Sequence, residues 1–326
     1  MKQWKTVFIL LIYFLVFLSC SKQKPENILR LSHGLDVTHP VHKAMVFMGN
    51  RLKEYSGGTL LMQIYSGNQL GSERESLELL QIGSLAMTKV SANTLEGFVP
   101  EFRLFNLPYI FTGDDHRFRV LESELGKSLL LKGVPNRFMG LCYYDAGSRS
   151  FYTKKTLVKG PEDLKGLKIR VMGSPTAIEM VNTMGGSATP ISWGELYTAL
   201  QQGIVDGAEN NPPSFYTSRH YEVCKFYSLD EHTSVPDVLV MSTAVWNGLS
   251  EEQKQWVRQA ADESADYQKI LWQEATEEAL RELKANGVTI DRPDKSLFQS
   301  EVAVLYKKYE QDPVLGDMIR QIRTME

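Results

Sequence analysis

Only three cysteines, Cys20, Cys142 and Cys224, occur in 326 residues, so no disulfide framework holds this chain together and its stability has to come from apolar cores. Cys142 and Cys224 are read as buried free thiols, with a Cys142–Cys224 disulfide as the alternative. Positive charge is not in excess either, with 36 Lys and Arg against 39 Asp and Glu. The formal net charge is −3, and no basic run interleaved with aromatics occurs, which argues against nucleic acid as a partner. Catalytic signatures are missing: there is no H-E-x-x-H, no G-x-S-x-G and no phosphate-cradling glycine loop, and S-x-x-K begins only at Ser19 and Ser21. His39 and His42, with Pro40 between them, have a faint look of a metal pair. No Cys, Asp or Glu at ligand spacing completes that site, so neither a metal nor a cofactor is expected. The chain reads as built to bind.

What it does have is 43% hydrophobic and 23% charged content, a globular composition in a chain long enough for two cores. Met1 to Ser19 carry Lys2 and Lys5, then an apolar run from Val7 to Leu18, the layout of a secretory signal. That run is too short to span a bilayer comfortably, and an uncleaved anchor is the alternative. Removing Lys2 and Lys5 with the signal takes the charge from −3 to −5. Cys20 ends the apolar stretch after a small residue and is followed by a polar segment, which resembles a bacterial lipoprotein signal with residues 20–27 as a tether; ordinary cleavage stays open. The folded part is expected outside the cytoplasm.

From Ile28 the pattern alternates strand, helix, strand, helix, strand up to Ser91, and a Ser72–Glu75 capping box starts the second helix. The same order returns from Lys168 to Glu209, with a Ser174 cap, a second capping box at Ser192 and Glu195, and glycine stops. Two such units predict two α/β lobes with parallel sheets. Phe138–Tyr144 and Ser150–Lys154, joined by Asp145, Ala146 and Gly147, predict one crossing between lobes, and Pro236–Thr243 predicts a return, so the lobes are joined by a β hinge. A long helix from Ser250 to about Asn286 is expected to pack over both. Lobe I is drawn as 28–147 plus about 236–275, lobe II as 148–235 plus about 276–326.

In open α/β sheets ligands bind beyond the carboxyl ends of the strands. Arg170 closes the strand of GLKIRV, where its planar fork suits a carboxylate, and Asn210 stands where IVDGAE leaves the sheet; for Asn210, satisfying a turn is an equal alternative. Arg149, in YYDAGSRSFY, lies at the crossing, with an ion pair to Asp145 as the plain alternative. If both arginines reach the cleft, a monovalent acid leaves one charge spare. His33, His39, Glu73 and Asn93 fall in or beside loops after the first lobe's strands, a set that suits hydroxyls. Glu73 at a helix start is equally explained by the helix dipole. Trp193 opens a helix, either filling the core or stacking on the apolar face of a sugar.

The runs ERE at Glu73, FVPEF, LPYIF, LKGLKIRV, ISWGELYTALQQG and VDGAENNP resemble the solute-binding proteins of tripartite ATP-independent periplasmic (TRAP) transporters, the DctP-like family, over most of the mature chain. The resemblance implies a two-lobed α/β fold of the periplasmic-binding-protein type, class II, in a monomer whose cleft closes on an organic acid. It also implies delivery to a small and a large TRAP membrane subunit. Arg170 matches the family's carboxylate-binding arginine; Arg149 and Asn210 match a second arginine and an asparagine lining the same cleft. The polar set around Glu73, with DAGSRSFY and DGAENNPPSFY, looks most like the hexuronate branch, with C4-dicarboxylates and other acids as alternatives. A reading of another class is an extracytoplasmic enzyme on sugar acids using Glu73 or His33 as acid or base.

Overall fold

The computed structural model describes residues 27–326; the expected signal, Cys20 and nearly all of the tether lie outside the described residues. In the first sheet, β1 (Asn27–Ser32) lies between and parallel to β2 (Leu60–Tyr65) and β3 (Met87–Ser91). Ser72 starts the helix Glu73–Gln81 after β2. Its Oγ accepts from Glu75 N at 3.4 Å while the Glu75 carboxylate accepts from Ser72 N at 2.7 Å. The sheet then turns antiparallel: β10 (Asp237–Ser242) runs against both β3 and β4 (Phe138–Tyr144).

The second sheet contains β5 (Arg149–Thr153), β6 (Lys168–Val171), β7 (Ser187–Pro190), β8 (Gly207–Asn210), β9 (Phe226–Thr233) and β11 (Thr289–Asp291), in the order β11-β9-β5-β8-β6-β7. Here β6 is parallel to β7 and β8, whereas β5 is antiparallel to β8 and β9. Both sheets are therefore mixed, not purely parallel. Each lobe contains one strand that enters from the other lobe, β5 after β4 and β10 after β9, and a strand entering from the cleft side must run against those that end there. The second expected capping box does not form: Ser192 Oγ caps no backbone group and donates to Glu195 Oε2 at 2.5 Å.

A third connection is the helix Glu251–Ala285, opened by a Ser250–Gln253 capping box. It packs along the helix Pro40–Tyr55 of the first lobe, where Arg51 Nε meets Glu263 Oε2 at 2.7 Å, and against Pro212–Thr217 of the second. At the β4–β5 crossing, Gln268 of this helix bonds both backbone groups of Asp145 at 2.8 Å, and Arg117 Nη2 donates to its carboxylate at 2.8 Å. Gly147 has φ +54°, and a Cβ there would stand 2.8 Å from Trp272 Nε1 of the long helix, so only glycine fits the hinge at this point.

Each lobe has its own core, and a third core joins them. Phe102, Phe105 and Val120 pack with Ile169, Val171 and Met180 and with Phe298, Ile319 and Ile322 of the last two helices, Lys295–Tyr309 and Pro313–Arg323. The last helix is held by a one-sided apolar stripe, Leu315, Met318, Ile319 and Ile322, and by a 2.9 Å bond between His116 Nε2 and the Ile322 carbonyl.

Candidate functional site

The parallel strands of both sheets end at the face where the lobes meet, and the charged residues of the strands and of the loops beyond them converge there. Arg170, in β6, is 1% exposed. Its Nε donates to the Ile191 carbonyl at 2.8 Å, and Trp193 lies 5.9 Å from the guanidinium carbon. Nη1 is buried without a hydrogen-bond partner in the protein, and no ion pair joins Arg170 to any described carboxylate. Burial pulls its pKa down from the usual arginine value. Such a charge is costly to hold alone and is offset only by an anion brought to it.

Arg149 is different. Its Nε and Nη2 grip the two oxygens of Glu209 at 2.5 and 2.8 Å, Nη2 also reaches the Glu209 carbonyl, and Nη1 donates to Asn210 Oδ1 at 2.9 Å. The expected alternative partner, Asp145, belongs to Arg117 instead, and the expected spare charge is matched by Glu209. Burial opposes the charged form of Arg149, but the Glu209 charge and hydrogen bonds outweigh it and raise the pKa. Burial likewise works against the Glu209 carboxylate, yet Arg149 and His232 bring it to about 2. His232 stands behind, 2.8 Å from Asp230 and 3.6 Å from Glu209, so it acts on Glu209 by charge; burial is overcome by these carboxylates and its pKa is about 9. Asn210 spends Oδ1 on Arg149 and on Asn211 N, which leaves its Nδ2 as a donor.

On the first lobe, Lys89 in β3 lies between two carboxylates, 2.9 Å from Glu73 and 3.1 Å from Asp237. Glu73 also accepts from Thr94 Oγ1 at 2.6 Å and Ser91 N at 3.1 Å. Burial raises its pKa, but Lys89 and these donors leave it below the usual carboxylate range. The field of Glu73 reaches Arg170, that of Asp237 reaches Arg149, and that of Lys89 reaches His33 and His39, so groups from both lobes share one electrostatic space. Asn93 is buried with Oδ1 unpartnered.

His33 and His42 form a 2.9 Å pair, while His39 caps its helix and reaches Ser214 Oγ of the other lobe at 3.2 Å. Since His33 Nδ1 accepts from Leu35 N, its proton is on Nε2; burial and the Lys89 charge lower its pKa to about 3. Trp193 faces Arg170 and His220, whose ring centroid is 5.0 Å away, whereas Phe215 is core, stacked on Tyr152.

Further contacts cross the cleft. Glu96 accepts from Ser174 at 2.5 Å and Thr176 at 2.7 Å, and the Asn68 side chain is wedged between Gly34 and Gly194, where added Cβ atoms would come within 2.5 and 2.9 Å of it. The lobes are closed. Sequence reading singled out Arg170, Arg149 and Asn210 and placed Asn68 in a loop facing the crevice, but did not name Lys89, Glu209, Asp237 or Glu96 as candidates. For Lys89, a charged residue inside an otherwise uncharged predicted strand, Ala86 to Ser91, was the available signal.

The family model of bacterial extracellular solute-binding proteins, family 7, matches residues 31–312. The chain belongs to this family. It is similar to an uncharacterized protein, YiiZ, of Salmonella typhimurium, 38% identical over 92% of both chains. Two TRAP periplasmic solute-binding proteins of known structure superpose closely. One, from Bradyrhizobium sp. BTAi1, was crystallised with galacturonate (38% identity, 91% of this chain and 100% of that one, TM-score 0.89). The other, from Anaerococcus prevotii, was crystallised with glucuronate (35% identity, 92% and 98%, TM-score 0.90). The two-lobed fold of these TRAP periplasmic solute-binding proteins is the fold described above.

Proposed function

We propose that this chain is the solute receptor of a TRAP transporter for a hexuronate such as glucuronate or galacturonate, and that it hands the acid to a small and a large membrane subunit. The observation that carries the proposal is Arg170, a buried guanidinium with a free Nη1 and no carboxylate of its own. In this reading Arg170 takes the ligand carboxylate, Trp193 lines the same wall, and Asn210 Nδ2 and the remaining Nη1 hydrogen of Arg149 meet ring oxygens. Glu73, Lys89 and Asn93 Oδ1 serve hydroxyls from the other lobe, with His33 and His39 holding the wall behind them. The uronate complexes of the similar proteins support the ligand class. Micromolar capture needs about 8 kcal/mol, more than one arginine contributes, which is why several hydroxyl contacts are required.

The site is built for binding rather than turnover. Glu73 is held as a carboxylate: against burial, Lys89, Thr94 and Ser91 keep its pKa below the usual range, and burial lowers the pKa of His33 to about 3, so neither is poised to exchange protons near neutrality. Residues 28–147 with about 236–275, and 148–235 with about 276–326, are proposed as the bodies that close. A uronate should raise the melting temperature and be recovered unchanged after hours of incubation. No shift from any uronate in folded protein rejects the ligand class, and a converted product rejects the receptor reading. Cys20 is proposed as a lipid anchor in the periplasm; the mass of mature protein extracted from membranes should carry the acyl addition, and an unmodified mass or a loss of Cys20 rejects it.

A further inference from the structure

The charges around the cleft are distributed unequally, and the distribution sets a limit on the ligand. Three basic side chains reach it from strands: Arg170, Arg149 and Lys89. Glu209 takes Arg149 in a two-pronged grip at 2.5 and 2.8 Å, with His232 and Asp230 completing a buried chain of alternating sign behind it. Lys89 is shared by Glu73 and Asp237 at 2.9 and 3.1 Å. Of these three, only Arg170 has no anionic partner among the described residues, and only its guanidinium has a buried, unpartnered nitrogen, Nη1.

We infer that the cleft admits one carboxylate and excludes a second, because Glu209 on one lobe and Glu73 with Asp237 on the other have already used every other positive charge facing the ligand. The cleft is thus bipolar. The Arg170 end carries a net positive charge. The Lys89 end has one ammonium for two carboxylates, whose oxygens accept hydrogen bonds from hydroxyls and repel another anion. A carboxylate at the distal end of the ligand would be desolvated beside Glu73 and Asp237 without a counter-ion, whereas a hydroxyl or hemiacetal there is a donor where acceptors are waiting. Glu73, Asp237 and Glu209 are in this sense specificity-determining: they select sugar acids with one acid group over aldarates and dicarboxylates.

This inference rests on the hexuronate reading and is tested apart from it. D-Galacturonate, L-galactonate and galactarate share one carboxylate and one hydroxyl configuration and differ only at the far carbon, which is a hemiacetal, an alcohol or a carboxylate. In calorimetric titrations at pH 7 the first two should bind and galactarate should bind at least a hundredfold more weakly. Asp237→Asn should narrow the gap between galactarate and L-galactonate about tenfold. Glu209→Gln, which removes the charge and can keep only one of the two side-chain hydrogen bonds from Arg149, should do the same from the other wall. Galactarate within tenfold of L-galactonate in the unaltered protein overturns the inference. So does silence from both open-chain acids while galacturonate binds, because an end that takes hydroxyls must accept the alcohol. Failure of galacturonate and glucuronate alike overturns the hexuronate reading itself. If Asp237→Asn and Glu209→Gln both fold but leave the galactarate ratio unchanged, discrimination resides elsewhere and the assignment of these carboxylates is wrong.

Discussion

Arg170→Met is expected to abolish uronate binding and, in the same protein, to raise the melting temperature of the ligand-free form. The two effects have one cause. A guanidinium 1% exposed, with an unpartnered Nη1 and no carboxylate, is held at a desolvation cost that only a bound anion offsets. Removing it forfeits two charge-assisted hydrogen bonds to the ligand at about 1.5–3 kcal/mol each, which weakens binding by roughly 10²–10⁴-fold. The native state loses the bond from Nε to the Ile191 carbonyl, a neutral acceptor, worth about 1 kcal/mol, together with the longer-range attraction of Glu209 and Glu73 that does not outweigh burial, and keeps a side chain of similar reach against Trp193. Calorimetric titration and a thermal melt on one preparation decide it. A melting temperature that falls by ten degrees or more would make Arg170 a structural residue, and retained affinity would remove it from the site. Arg149 makes the contrast, because it is already neutralised by Glu209, and deleting one member of that pair strands the other.

Mild acid should destabilise the protein strongly. His33 and His220 both have pKa values lowered from 6.5 to about 3, by burial first and then by the charges of Lys89 and Arg170 respectively. A histidine that is neutral when folded binds its proton only on unfolding, so the stability it confers is present above pH 6.5 and is lost as the pH falls toward 3. Between pH 7 and 5 the two together remove about 4 kcal/mol, since each pH unit below 6.5 costs about 1.4 kcal/mol per group. His39, fully buried and also lowered, adds in the same direction. His232 works oppositely: with a folded pKa of about 9 its contribution is complete below 6.5 and is lost as the pH rises through 9. Urea unfolding at pH 7, 6 and 5 should show the midpoint falling steadily, and a His33→Gln, His220→Asn double variant should flatten the profile. A midpoint independent of pH in that range would mean that these rings do not stay neutral in the folded protein.

Some of this was legible in residues alone. Alternation in KIRV fixed which side chains share a face, and the strand-end rule then placed Arg170 at the crevice; the proline pair after Asn210 marked where the chain leaves the sheet. Glu209 was not legible, because its meeting with Arg149 depends on β5 lying beside β8, with Phe151 opposite Glu209 and Ser150 opposite Asn210. That pairing is non-local, and the antiparallel direction of β5 follows from the crossing rather than from any local pattern. The helices Asp114–Glu122 and Glu124–Leu131 escaped for a different reason. They are short, and the first begins at Gly113 with no side-chain cap, so the usual start signal is missing. The last two helices have clear apolar stripes but were merged into the second lobe, whereas their side chains also complete a core with Phe102 and Phe105.

The contacts that cross the cleft set a clock. His39 on Ser214, Glu96 on Ser174 and Thr176, and Asn68 between Gly34 and Gly194 close the lobes around a site whose Arg170 is almost completely shielded. In the receptor proposed above, an acid held behind these contacts waits for them to part, so their lifetime enters its residence time beside the strength of its own contacts. A long residence suits capture from dilute solution and defeats delivery. In that receptor, a docking partner that speeds release would act on these contacts, prying apart the lips of the cleft and not touching the acid itself.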